Sequence, residues 1–252
     1  MFSQHYRRMT GIHWLVLFCA ILVAWMGLYA MAIPSDMRSL SQVYGLGFWQ
    51  SLCVVTPDAA GYFGIFAMWV LMSAAMMAPT ALPAFATYEE LGSSTKVRFA
   101  PLVLGYGVVW FGYSAIAAGL QLFLFQLNLI DQFGQSLSSG LTAVLLLIAG
   151  AYQFSNLKEA CLSKCRAPLT FFMQHFAEGP FRNGVRLGLV CLGCCWALMA
   201  LAFVGGTMNL AFMALATILM IFEKLPDIGR YVTKPVGYIL IASGLWQLTH
   251  FI

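Results

Sequence analysis

From Ile12 to Ile33 the chain carries no Asp, Glu, Lys or Arg, and runs of this kind recur along its whole length. About 20 apolar residues are what an α-helix needs to cross the ~30 Å hydrocarbon core of a bilayer. In lipid, backbone N–H and C=O groups must be satisfied within the protein, so such runs fold as helices. Only 9% of the 252 residues are charged, against about 25% in soluble domains. That leaves too little polar surface to coat a water-soluble globule. The expected fold is all-α: a polytopic integral membrane bundle forming a single domain over residues 1–252.

Seven spans can be drawn, at about 12–33, 59–86, 99–127, 137–154, 184–204, 207–222 and 235–252. Ala30-Met31-Ala32 resembles a signal-peptidase site, but the first apolar run exceeds the 7–15 residues of a signal peptide's core, so it reads as a span. The charges test the count. One set of connections holds Arg7, Arg8, Lys96, Arg98, Lys158, Lys164, Arg166, Arg182, Arg186, Lys224, Arg230 and Lys234, while the other holds only Arg38. By the positive-inside rule the N-terminus is cytoplasmic and the C-terminus outside. Residues 168–182 place four phenylalanines among polar residues and read as a segment in the cytoplasmic interface. Gly105, Gly112 and Gly119 recur every seven residues, and Ala115/Gly119 and Gly184/Gly188 form small-xxx-small pairs; these read as helix-packing seams. Gly205-Gly206 reads as a tight turn, Pro235 as the start of the last helix.

Within this frame, Cys191, Cys194 and Cys195 fall in five residues of the fifth span. At about 100° per residue, Cys195 lies about 40° from Cys191 and Cys194 about 60° the other way, so all three thiols project from one face. Cys161 and Cys165, at i,i+4, lie in the connection just before. All five fall at the cytoplasmic level of the membrane. Thiolates bind Cu(I), Zn(II) and Fe–S clusters, but the spacing is neither that of a zinc ribbon nor that of a ferredoxin. A reducing cytoplasm disfavours disulfides there. The candidate metal ligands are therefore Cys161, Cys165, Cys191, Cys194 and Cys195, with Met72, Met76, Met77, Glu223 and His175 of second rank. Cu(I) is the preferred ion because the donors are almost all sulfur; Zn(II) comes next. Met68, Met72 and Met76 form an i, i+4, i+8 row toward the cysteines, either core filler or an ion path. Pro79 and Pro83 free carbonyls at the same level, to line a site or to kink the helix. Cys19 and Cys53 read as inert, and His5, His13 and His250 as incidental.

Some classes fall away. No phosphate-cradling glycine motif is present, so no nucleotide is expected, and a net charge of +4 signals no nucleic acid. No ionisable residue lies mid-span, which disfavours proton-coupled transport.

The segments AMMAPTALP (75–83), AGAYQFSNLKEACLSKCRAP (149–168), GLVCLGCCWALMALAFVGGTMNLAFMA (188–214) and Glu223-Lys224 resemble the predicted metal-binding integral membrane proteins of bacteria, domain of unknown function 2182. The resemblance covers roughly residues 60–245 and implies a multi-pass protein of the bacterial inner membrane that binds metal. The expected function is handling of a soft metal for uptake, storage or delivery, with the lipid bilayer and a metallochaperone or membrane protein as partners. An assembly subunit of a larger complex, or a membrane thiol oxidoreductase, are the alternatives; an enzyme is the less favoured class.

Overall fold

The computed structural model describes residues 11–32, 59–92 and 99–249. The readings placed on His5, Arg7, Arg8, Arg38, Cys53, Lys96, Arg98 and His250 lie outside these residues.

Ten α-helices are present among the described residues: α1 (Ile12–Ala32), α2 (Ala59–Leu91), α3 (Phe99–Gln126), α4 (Ser139–Tyr152), α5 (Asn156–Arg166), α6 (Pro168–His175), α7 (Pro180–Ala200), α8 (Ala202–Gly205), α9 (Leu210–Lys224) and α10 (Gly229–Thr249). The fold is all-helical, with one isolated antiparallel bridge, Ile130 to Ser136. Among the described residues four helices are long and apolar enough to cross a membrane: α1, α2, α3 and α7 continued by α8. The bent pair α4–α5 makes a fifth if counted as one span. The outer faces of α1, α2 and α3 fit that role, with Leu15, Met26, Phe63, Phe111 and Ile116 among the exposed large apolar side chains.

The helices start where local chemistry dictates. Ser138, Ser155 and Asn209 cap α4, α5 and α9 by accepting from backbone N–H groups, each contributing about 1 kcal/mol. The chain turns by 61° between α4 and α5. α2 runs unbroken past Pro79 and Pro83. Pro79 has no N–H for the Ala75 carbonyl, and the Trp25 indole of α1 donates to that carbonyl instead at 3.1 Å. The last helix also differs from expectation: it begins at Gly229, and Pro235 lies inside it.

α3 and α7 form the most extensive helix pairing, and glycine makes it possible. A Cβ at Gly105 would overlap the Phe181 carbonyl, one at Gly184 the Leu102 carbonyl, and one at Gly188 would sit 2.9 Å from Val109. Gly112 and Gly119 have nothing within 4 Å of a Cβ. The seven-residue glycine row is thus a seam at one end only: the buried face of α3 continues through Trp110, Ser114 and Ala118, away from Gly112 and Gly119. In the 205–206 turn only Gly206 takes positive φ, at 88°; Gly205 ends α8 against the Phe212 ring.

The 168–182 segment is helical, but Phe171 and Phe172 are buried. Phe172 packs edge-on to Tyr88 of α2 with ring centroids 4.9 Å apart, so half of the aromatic content of this segment serves the core. Leu169 and Met173 remain exposed.

Candidate metal centre

α7 delivers the three cysteines as its periodicity requires. Cys191, Cys194 and Cys195 are all buried, and their Sγ atoms lie within 4.8 Å of one another. With metal–thiolate bonds of about 2.3 Å, as for zinc, sulfurs sharing one ion lie about 4.0 Å apart in a trigonal site and about 4.6 Å in a linear one. The three sulfurs lie within 4.8 Å of one another, and the closest described pair, Cys194 and Cys195, stands at 3.2 Å, shorter than two sulfurs on one ion. The all-sulfur donor set fits a soft metal ion.

α5 packs across this face of α7. It brings Cys165 Sγ to 4.0 Å from Cys194 Sγ, so sulfur from a second element does reach the trio. Cys161 sits one turn back, over Gly193, where a Cβ would stand 2.6 Å from its Sγ. Both α5 thiols are partly exposed, unlike the three on α7. The Tyr152 hydroxyl donates to the Gly193 carbonyl and holds the end of α4 to the same spot.

Two polar side chains that sequence reasoning did not single out as site residues touch Cys191. Lys224, the last residue of α9, places Nζ 3.0 Å from Cys191 Sγ and donates to Thr80 Oγ1 at 2.6 Å. The Tyr106 hydroxyl lies 3.2 Å from the same sulfur and donates to the Met77 carbonyl at 3.0 Å. Thr80 Oγ1 in turn donates to the Met77 carbonyl at 2.9 Å. A carbonyl and a hydroxyl of the proline-containing part of α2 are therefore tied to Cys191 through one lysine and one tyrosine. The available signal for Lys224 was its place beside Glu223 at the end of an apolar run; the positive-inside pattern masked it.

The second-rank candidates separate. Met72, Met76 and Met77 are buried in the core that contains the three cysteines. Glu223 is 1% exposed and gives both carboxylate oxygens to Lys158, at 2.8 and 3.1 Å, while Lys158 is itself 1% exposed. Its role in this arrangement is counter-ion: the pair joins α5 to α9, reinforced by Arg166 donating to the Glu223 carbonyl at 2.9 Å. Lys158 is therefore no solvated loop charge. The His175 ring lies 3.0 Å from the Phe171 carbonyl and packs on the Phe171 ring; it is not among the side chains grouped around the trio. Cys19 is on an exposed face of α1.

The model of the copper-chaperone family PpoB2 matches residues 66–247. The chain belongs to that family. No curated protein and no solved structure gives a significant match. The copper-chaperone match takes in all five candidate cysteines, both prolines of α2 and the Glu223-Lys224 pair. The buried thiol cluster able to hold a metal ion sits inside the region matched by the copper-chaperone family. Zinc receives no support from the match.

Proposed function

We propose that this chain is a multi-pass membrane copper chaperone that holds Cu(I) on Cys191, Cys194 and Cys195 and passes it to the protein surface through Cys165 and Cys161. The observation that carries the reading is the buried three-thiol cluster with a fourth, partly exposed thiol 4.0 Å from Cys194. Cu(I) moves between thiolates by exchange, one sulfur joining before another leaves, so a graded series from buried to exposed thiols suits delivery better than storage. The charge balances when one of the three sulfurs stays a neutral thiol: Cu(I) on two thiolates carries −1, and the Lys224 ammonium, 3.0 Å from Cys191 Sγ, supplies +1. A buried charge without such a partner costs several kcal/mol.

The membrane setting is part of the proposal. The one-sided distribution of Lys and Arg supports seven crossings in one domain, with the N-terminus cytoplasmic, the C-terminus outside and the copper site at the inner rim of a bacterial inner membrane. α9, with 15 residues, spans only about 22 Å. It is short for a ~30 Å core, and neighbouring helices bury Met213, Thr217, Met220 and Glu223 along it. Residues 168–182 would lie at the interface, with Leu169, Met173 and Phe181 turned to lipid.

The test is copper content of purified protein in detergent under reducing conditions, by elemental analysis after competition with a Cu(I) chelator. Wild type should retain stoichiometric copper, and Cys191→Ser should lose it. Cys165→Ser should retain copper but release it to an acceptor thiol more slowly, and Cys161→Ser should do so to a smaller degree. Folded wild-type protein that retains no copper overturns the proposal.

A further inference from the structure

Three rows of side chains, one from each of three helices, end at the Lys224–Thr80–Cys191 contact. On α2 the row Met68, Met72, Met76, Thr80 climbs at i,i+4 spacing. On α7 the row is Met199, Cys195, Cys191. On α9 it is Met213, Thr217, Met220, Lys224, the i+3/i+4 alternation of one helix face. Their last members touch: Lys224 Nζ is 2.6 Å from Thr80 Oγ1 and 3.0 Å from Cys191 Sγ. The six methionines are at most 3% exposed and lie in one core cluster with the cysteines.

Cross-links between helices set the levels. Met77 of α2 is level with Tyr106 and Cys191. Ser73 is level with Ser114, their hydroxyls 3.1 Å apart. Trp69 is level with Gln121, which accepts from it at 2.7 Å, and with Phe203 just past α7, their rings 5.5 Å apart. Met199 lies two turns from Cys191 on the way to Phe203. Met220 is one turn from Lys224, and Met213 eleven residues from it, about 16 Å along the axis. The thioethers are therefore spread in depth from the Trp69–Phe203 level to the cysteines, with a sulfur from at least one helix at each turn.

We infer that this methionine-lined axis is a second Cu(I) site, a thioether path through which Cu(I) reaches the buried thiolates from the opposite face of the protein. The inference rests on the thiolate site proposed above and adds a direction of supply. Thioethers are neutral, soft donors that bind Cu(I) selectively but weakly. An ion can leave each one easily, and the anionic thiolates at the end of the row hold it more tightly. No oxidation state changes: each step forms one Cu–S bond as another breaks, and the charge that moves is that of Cu(I) alone.

The experiment uses full-length protein in vesicles of uniform orientation, with Cu(I) supplied at the face remote from the cysteines and a fluorescent Cu(I) chelator on the cysteine side. Met72→Leu, Met199→Leu and the combined Met68→Leu/Met72→Leu/Met199→Leu/Met213→Leu variants keep volume and apolarity nearly constant. Transfer by the combined variant should slow about tenfold or more, while the copper its three cysteines retain against a Cu(I) chelator in detergent stays that of wild type. As a second readout, Ag(I) should still bind weakly to a Cys191→Ser/Cys194→Ser/Cys195→Ser variant and be lost when the four leucines are added. Wild-type transfer rates in the combined variant, or no transfer by a wild type that binds copper, overturn the inference. A wild type that binds no copper at all refutes the thiolate site instead, and Ag(I) binding then decides whether the axis stands alone.

Discussion

Lys158→Met tests how the site is held together. Lys158 and Glu223 are each 1% exposed and meet at 2.8 Å, so removing one partner strands the other as a buried charge. Breaking such a pair costs about 3–5 kcal/mol, whereas replacing both partners by apolar residues of similar volume is often neutral or stabilising. For a chain of this size each kcal/mol moves the melting temperature by about 2–4 °C, so Lys158→Met and Glu223→Leu should each lower it by roughly 6–20 °C. The double variant should recover most of that loss. Because the pair joins α5 to α9, the single variants should also let Cys165 leave Cys194. The assay is thermal unfolding in detergent, followed by size-exclusion recovery, alongside the rate of copper release. Single variants that melt like wild type, or a double variant as unstable as the singles, would refute the reasoning that the pair is desolvated and matters as a pair.

Two further outcomes follow from contacts already described. Gly184→Ala should destabilise by about 1–3 kcal/mol, because its methyl group would meet the Leu102 carbonyl and force α3 and α7 apart, whereas Gly119→Ala should lie within about 1 kcal/mol of wild type or above it; the same melting assay compares them, and equal losses would contradict the one-ended seam. Tyr106→Phe removes a hydroxyl from Cys191 and from the Met77 carbonyl but keeps the ring that packs on Phe85. It should cost about 1 kcal/mol and change copper affinity by less than about tenfold, and a loss as large as that of Cys191→Ser would make Tyr106 more than a support.

Local sequence determined a great deal here. Uncharged apolar runs of about 20 residues, too long for the roughly 9–11-residue strands of a membrane barrel, pointed to helices. The 3.6-residue period alone put Cys191, Cys194 and Cys195 on one face, and their sulfurs do converge. What periodicity within one helix cannot determine is which faces of different helices meet. Only the tertiary structure brought Cys165 to Cys194 while leaving Cys161 over Gly193, because the packing of α5 on α7 decides which residue each thiol meets. Likewise it turned Glu223 from a candidate ligand into the partner of Lys158, and made Lys224, one more cation in a one-sided charge count, a direct neighbour of Cys191. Long side chains at helix ends can reach solvent, a counter-ion or a thiol with equal ease; the packing around them makes that choice, and the order of residues does not.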